Sequence, residues 1–349
     1  MTDLQTTPFA EGAGPGETIL EVRDLAVEFR TRDAVVKAVN GISYSVGQGE
    51  TLAILGESGS GKSVSAQAVM GILDMPPAVI PTGEILFHGE DMLKLSEEQQ
   101  RQIRGPGIAM IFQDALSSLN PVFTVGFQIG EMFRAHRGAS RAEAKAKAAE
   151  LMDRVRIPAA RERVDDYPHQ FSGGMRQRVM IAMALALDPA LIIADEPTTA
   201  LDVTVQAQIM QLLADLQDET GTGLILITHD LGVVNEVADK VAVMYAGRIV
   251  EEGTVDEVFT APAHPYTAGL MASIPLAERP GQRLNPIKGT PPNLAHIPPG
   301  CAFHPRCPMA RTGKAAQPGA DCRTDLPLLR EVAVGRRAAC HYSEELFHG

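Results

Sequence analysis

Gly56-Glu-Ser-Gly-Ser-Gly-Lys-Ser63 fits the pattern G-x-x-x-x-G-K-[ST] at every position. Directly before it stands Thr51-Leu-Ala-Ile-Leu55, a short apolar run bounded by Gly49 and Gly56. Such a run reads as a buried parallel strand, and the pattern after it as a Gly-rich loop opening a helix near Lys62. In that arrangement the backbone N–H groups of Gly56, Glu57, Ser58, Gly59, Ser60 and Gly61 wrap phosphate oxygens. Glycine allows the close approach and supplies positions with φ > 0. Lys62 brings a point charge to the β- and γ-phosphates, and the Ser63 hydroxyl is offered to Mg²⁺. The N-terminus of the following helix adds its dipole.

Working outward, strand patterns precede the loop at Ile19-Leu-Glu-Val22, Leu25-Ala-Val-Glu-Phe29 and Ile42-Ser-Tyr-Ser-Val46. Apolar strand runs follow it at Leu191-Ile-Ile-Ala194 and Leu224-Ile-Leu-Ile-Thr228, with a helix expected between them over 203–219. Ser140-Arg-Ala-Glu143 is a capping box, and it predicts an Ala-rich helix running to about Ile157 and stopped by Pro158. Strands alternating with helices imply an α/β fold with a parallel sheet covered on both faces. Residues from about 113 to 188 are helix-rich and strand-poor, as in a helical subdomain inserted into that core. Residues 1–17 are polar and read as a disordered lead-in. From residue 263 onward lie 12 of the chain's 24 prolines. That density blocks long helices and central strands, so the segment should be loop-rich and in need of a staple.

Asp195 ends an apolar strand run, where a carboxylate can orient Mg²⁺ and its waters. Glu196 follows it and is the expected general base toward the attacking water. With 45% hydrophobic and 21% charged residues the composition is globular, and no apolar run approaches the roughly 18 residues that span a bilayer. Met1-Thr-Asp-Leu-Gln-Thr-Thr-Pro8 has neither a basic start nor an apolar stretch, so no signal peptide is expected and the chain reads as cytosolic. A net charge of −12 argues against tracking nucleic acid. The four cysteines, Cys301, Cys307, Cys322 and Cys340, all lie in the Pro-rich end. Clustered cysteines in a reducing compartment point to metal rather than disulfides. Four thiolates hold either a [4Fe–4S] cluster or tetrahedral Zn²⁺. The gaps of five, fourteen and seventeen residues differ from the close pairs usual in structural zinc sites. His304 and His341 are further possible ligands.

The ordered set of Gly56–Ser63, Phe171-Ser-Gly-Gly-Met175, Asp195-Glu196 and His229 resembles the nucleotide-binding subunit of an ABC transporter over residues 18–262. The resemblance implies a P-loop ATPase cassette with N-terminal antiparallel strands and an inserted helical subdomain, binding ATP and Mg²⁺. It makes Gln113 the glutamine that senses the γ-phosphate and the membrane partner, a Mg²⁺ ligand beside Ser63 and Asp195. Ser172, Gly173 and Gly174 become the signature that contacts ATP held by an opposite subunit. Leu201 and Asp202 belong to the loop crossing the dimer seam, and His229 is the switch histidine, catalytic together with Glu196 and Gln113. Met175 and Phe171 depart from the commonest glutamine and leucine. Phe29 is a candidate for stacking on adenine, and a core phenylalanine on the same reading.

His264-Pro-Tyr266, Ser273-Ile-Pro275, Gln113 through Pro121 and Gly300-Cys-Ala-Phe-His-Pro-Arg-Cys307 narrow the resemblance to oligopeptide and dipeptide importer ATPases. That branch implies an extension over 263–349 and favours iron–sulfur over zinc at the four cysteines. It implies a second ATPase subunit (a paralogue or a second copy), two transmembrane permeases, an extracytoplasmic peptide-binding protein, and a peripheral position on the cytoplasmic face of the membrane. The rival readings are a nickel importer ATPase of the same branch, a soluble iron–sulfur ABC ATPase acting on ribosomes or DNA, and a redox-sensing regulator. The second is disfavoured by the single cassette and the acidic charge.

Overall fold

The computed structural model describes residues 17–199, 201–273, 287–311 and 320–347. The expected lead-in, apart from Glu17, and Ile274 and Pro275 of the quoted tail motif lie outside the described residues. The chain divides into two compact units.

The first unit comprises residues 17–20, 45–51 and 86–227 among those described. Its strands Ile108–Ile111, Leu191–Asp195 and Gly223–Ile227 run parallel side by side, with Leu191–Asp195 in the middle. Every residue of the last two strands is buried, as expected of a sheet covered on both faces. The longest helices of the unit are Val125–Arg137, Arg141–Arg154, Gly173–Leu185 and Val203–Thr220. The capping box forms in both directions, with Ser140 N–H on Glu143 at 2.9 Å and Glu143 N–H on Ser140 Oγ at 3.3 Å. The helix ends at Arg154, three residues short of the expected Ile157. Arg156 sits at φ +61°, its N–H on Asp153 O at 2.8 Å and the Ile157 N–H on Met152 O at 2.9 Å. That is a Schellman ending with arginine where glycine is usual, and Pro158 disfavours continuing the helix through Ile157.

The second unit comprises Glu21–Tyr44, Leu52–Ile85 and the described residues from Thr228 onward. Thr18–Arg30 lies between Val35–Gly47 and Ala78–Phe87, so the Ile19–Val22 and Leu25–Phe29 patterns belong to one strand and Ile42–Val46 is part of a longer one. Thr51–Leu55 pairs in parallel with Lys240–Tyr245. Arg248–Thr254 continues antiparallel, then Arg336–Ala338 and Arg330–Ala333.

The Pro-rich end therefore does more than loop. Two of its short stretches extend a sheet, and Tyr266, Phe303 and Cys307 join one buried cluster with Val241, Val243 and Tyr245. The polar anchor of this packing is Glu251, which is fully buried. Its carboxylate accepts the N–H groups of Ala263 at 2.7 Å and His264 at 2.9 Å, and pairs with Arg336 at 2.8 Å. Arg336 also donates to Ala261 O. His264 then caps helix Pro265–Ala272, its Nδ1 accepting the Tyr266 N–H at 3.0 Å. Burial pushes the His264 pKa down to about 3, so the ring is neutral and able to accept. No described helix is long and apolar enough to cross a membrane.

Removing one partner of a buried ion pair leaves the other charge uncompensated, at about 3–5 kcal/mol. Arg337 with Glu252 is the control, since the Arg337 side chain is 40% exposed and such pairs contribute about 0–1 kcal/mol. Glu251→Ala is expected to lower the thermal midpoint by several degrees and open residues beyond 263 to protease. Arg337→Ala is expected to leave both nearly unchanged. Equal effects of the two substitutions in thermal melts and limited proteolysis would refute the anchor.

Candidate functional site

The loop Gly56–Ser63 belongs to the second unit. Gly56, Gly59 and Gly61 have φ of 150°, 77° and 106°. A Cβ on Gly56 would lie 2.3 Å from Met244 O, and one on Gly61 2.2 Å from Ala38 O. Glycine is thus required here because the loop presses on backbone carbonyls beneath it, in addition to its positive φ. The Gly247 N–H donates to Ser60 O at 2.9 Å and pins the loop from the side. Lys62 is 5% exposed; its Nζ donates to Gly56 O at 2.7 Å and Glu57 O at 3.1 Å. Helix Lys62–Met70 starts directly behind, with Gly61 as its cap.

Glu57 is tied down in a way local sequence did not reveal. Its backbone N–H donates to Tyr266 Oη at 2.8 Å. Its carboxylate is forked by Arg306, Nη1 to Oε2 at 2.6 Å and Nη2 to Oε1 at 2.9 Å. The one available signal was a carboxylate inside an anion-binding loop, which demands a nearby cation. His229 is exposed and immediately precedes Asp230, whose carboxylate caps helix Leu231–Val237. Phe29, the adenine-stacking candidate, is half-buried in its strand.

The first unit carries the remaining motif residues. Asp195 is the last residue of its strand and is 4% exposed. Glu196 turns sharply off it at φ +46°, with its N–H on Ile227 O at 2.8 Å. A left-handed non-glycine residue of this kind costs about 1–3 kcal/mol and persists only where its surroundings hold it. They do so here. Glu196 Oε2 accepts from Gln113 Nε2 at 2.8 Å and from Thr199 Oγ1 at 2.9 Å. Gln113 and Glu196, 83 residues apart, are therefore in direct contact.

Ser172 caps helix Gly173–Leu185, its Oγ accepting the Met175 N–H at 3.4 Å. Ser172 and Gly173 are exposed, so the helix N-terminus faces outward. A Cβ on Gly174 would lie 2.6 Å from Val205 Cγ1, and one on Gly173 3.4 Å from Leu201 Cδ2. The signature thus packs on the start of helix Val203–Thr220, where Asp202 caps by accepting the Val205 N–H at 3.0 Å. Both departures from the common signature meet Arg163. Its guanidinium carbon stands 4.3 Å from the Phe171 ring centroid, and Nη1 contacts Met175 Sδ at 3.5 Å.

The four cysteines lie in the second unit, near enough for their charges to influence one another. The Cys301 N–H donates to Cys322 O at 2.9 Å. Burial first, then the Cys322 and Cys307 thiolates, push the Cys301 thiol up to about 12. Burial, followed by Cys301, Cys307 and Cys322, raises Cys340 further. Backbone N–H groups of Phe303 and His304 favour the Cys301 thiolate, and the Tyr342 N–H reaches Cys340 Sγ at 3.3 Å. Among the described residues no three His, Cys, Asp or Glu side chains converge closely enough for one metal ion.

Comparison with known proteins agrees with this geometry. The family described as ABC transporter matches residues 39–199. The family described as oligopeptide/dipeptide transporter, C-terminal region, matches residues 250–313. The oligopeptide transport ATP-binding protein OppD of Bacillus subtilis is 57% identical over 82% of this chain and 80% of its own. The dipeptide transport ATP-binding protein DppD of Escherichia coli is 48% identical over 93% of this chain and 96% of its own. Among solved structures, a dimeric post-hydrolysis state of the ATP-binding cassette MJ0796 bound to ADP and Pi superposes with a TM-score of 0.61. It shares 27% identity over 68% of this chain and 98% of its own.

Proposed function

The chain belongs to the ATP-binding subunits of the oligopeptide/dipeptide ABC transporters, and from that membership we propose how its residues work. It hydrolyses ATP to drive uptake of peptides through a membrane complex, with two permeases, an extracytoplasmic peptide-binding protein and a second ATP-binding subunit. The observation that carries the residue assignment is Glu196, turned off the end of its strand and gripped by Gln113 and Thr199.

Gly56, Ser58, Gly59, Ser60, Gly61 and Lys62 hold the phosphates, with Glu57 as a fixed shoulder of the loop. Ser63, Asp195 and Gln113 are the hydroxyl, carboxylate and amide donors for Mg²⁺, a set that suits a hard cation. When bound, that ion spreads the charge developing on the transferred phosphoryl group. Glu196 takes the proton of the attacking water as the bond from the γ-phosphorus to the bridging oxygen breaks and ADP leaves. Ser172, Gly173 and Gly174, outward-facing at a helix N-terminus, serve ATP held by the partner subunit. His229 contacts the γ-phosphate of this chain's own nucleotide. ATP binds the closed pair better than the open one and shifts its population; hydrolysis reverses the shift. Residues 113–188 act as the helical subdomain that passes this motion to the permeases, and residues 263–349 as the extension.

The four cysteines hold a [4Fe–4S] cluster, which staples the extension. What supports this reading is four thiols within electrostatic reach of one another, with backbone N–H groups toward two of the sulfurs. A four-iron cluster places each thiolate on a different iron, so it asks for a looser grouping than a single zinc ion does.

Glu196→Gln is expected to lower ATP turnover by about 10²–10⁴-fold in the assembled complex, with binding retained. Turnover near that of the wild type would exclude the general-base assignment. Anaerobically purified protein is expected to be brown and to contain roughly four iron and four sulfide per chain. One zinc per chain and no iron would replace the cluster by an ion.

A further inference from the structure

The phosphate loop contains an acidic residue, and the segment between the first two cysteines neutralises it. A carboxylate at Glu57 opposes the binding of phosphates by the same loop, because like charges at this range repel strongly where water is thin. Arg306 cancels that charge with two parallel hydrogen bonds of 2.6 and 2.9 Å. Planar bidentate pairing of this kind fixes position as well as charge. The Arg306 side chain is 5% exposed, and its Nε is spent on Lys288 O at 3.1 Å. The Glu57 carboxylate holds the Arg306 pKa above its ordinary value.

The guanidinium is delivered by a tight turn. The His304 N–H bonds Cys301 O at 2.9 Å, and the N–H groups of Arg306 and Cys307 bond Phe303 O at 2.9 and 3.0 Å. Cys301 and Cys307 close the turn at either end, with Arg306 next to Cys307. Phe303 wedges the turn edge-on against Tyr245, centroids 5.2 Å apart, and against Tyr266 at 5.5 Å. Tyr266 is fully buried and gives Glu57 its second tie, accepting the backbone N–H. Both the backbone and the side chain of one phosphate-loop residue are thus held from the cysteine-bearing extension, 209 and 249 residues further along the chain.

We propose that Arg306 and Tyr266 are positioning residues for nucleotide binding, and that through them the Cys301–Cys307 turn and the phosphate loop respond to each other's state. The inference rests on the reading of Gly56–Ser63 as the nucleotide loop and not on which metal the cysteines hold. Loosening the turn withdraws the guanidinium and leaves Glu57 facing the phosphates. Filling the loop with nucleotide holds Glu57 and so stiffens the turn, since coupling between two sites acts equally in both directions.

The test uses the full-length chain and MgATPγS, with affinity measured by calorimetry. Arg306→Gln is expected to weaken binding by about tenfold or more, the loss typical of a hydrogen-bonded charge left without its partner. Adding Glu57→Gln to that variant is expected to restore most of the affinity, because the unneutralised carboxylate is gone. Tyr266→Phe keeps the ring in the core and is expected to cost about two- to tenfold; it decides the matter if Arg306→Gln does not fold. As the reciprocal readout, saturating nucleotide is expected to slow amide hydrogen exchange across residues 301–307 severalfold in the wild type and not in Arg306→Gln. Binding within twofold of wild type in both single variants overturns the proposal, as does failure of Glu57→Gln to rescue, or amide exchange across residues 301–307 unaffected by nucleotide in the wild type. A wild-type chain that binds no nucleotide would instead remove the reading of the loop itself.

Discussion

A fully buried carboxylate fixes where the Pro-rich end of this protein goes. Glu251 sits on a sheet strand with no exposed surface, and a charge there is tolerable only if its hydrogen-bonding capacity is spent. Arg336 from a late strand and the N–H groups of Ala263 and His264 spend it. Once those three are in place, the start of helix Pro265–Ala272 is determined. Tyr266 is then set against Tyr245, centroids 4.6 Å apart, with its hydroxyl at the backbone of Glu57. The aromatic floor against which the cysteine turn packs follows from the same anchor. A segment too rich in proline for long regular elements acquires a defined position by borrowing the core of its neighbour.

Each unit holds part of the motif set. The second carries the Gly56–Ser63 loop, and the first carries Gln113, Asp195 and Glu196. Each side is rigid for its own local reason. The phosphate loop lies so close to Ala38 and Met244 that a single Cβ at Gly61 or Gly56 would collide with backbone. Glu196 is held off its strand by two side-chain donors against an unfavourable φ. The signature is different, since Ser172 and Gly173 present an outward-facing helix N-terminus. That arrangement suits the role proposed for them, contact with a nucleotide held by another subunit.

Much of this was legible in the sequence because it is local. Thr51-Leu-Ala-Ile-Leu55 with the glycine loop, the Ser140–Glu143 capping box, and the apolar strand ending in Asp195 each declare themselves within a few residues. What escaped was long-range or too short to carry a period. Ile108–Ile111 is four residues framed by Gly105, Pro106 and Gly107, which read as breakers. The short strand Arg336–Ala338 is set by its pairing with Arg248–Thr254, and Arg330–Ala333 by its pairing with Arg336–Ala338. The role of Arg306 depends on a partner 249 residues away, and only the oddity of an acidic residue in a phosphate loop hinted at it. Arg163 likewise explains Phe171 and Met175 through contacts that no spacing rule predicts.

The central claim is that this chain is the motor of a peptide importer. The most direct test is to isolate it, tagged and at native expression, from detergent-solubilised membranes and to identify its partners by mass spectrometry. The account predicts two integral permeases, a second ATP-binding subunit and an extracytoplasmic peptide-binding protein. Recovery with ribosomes or DNA and with no integral membrane protein would contradict it.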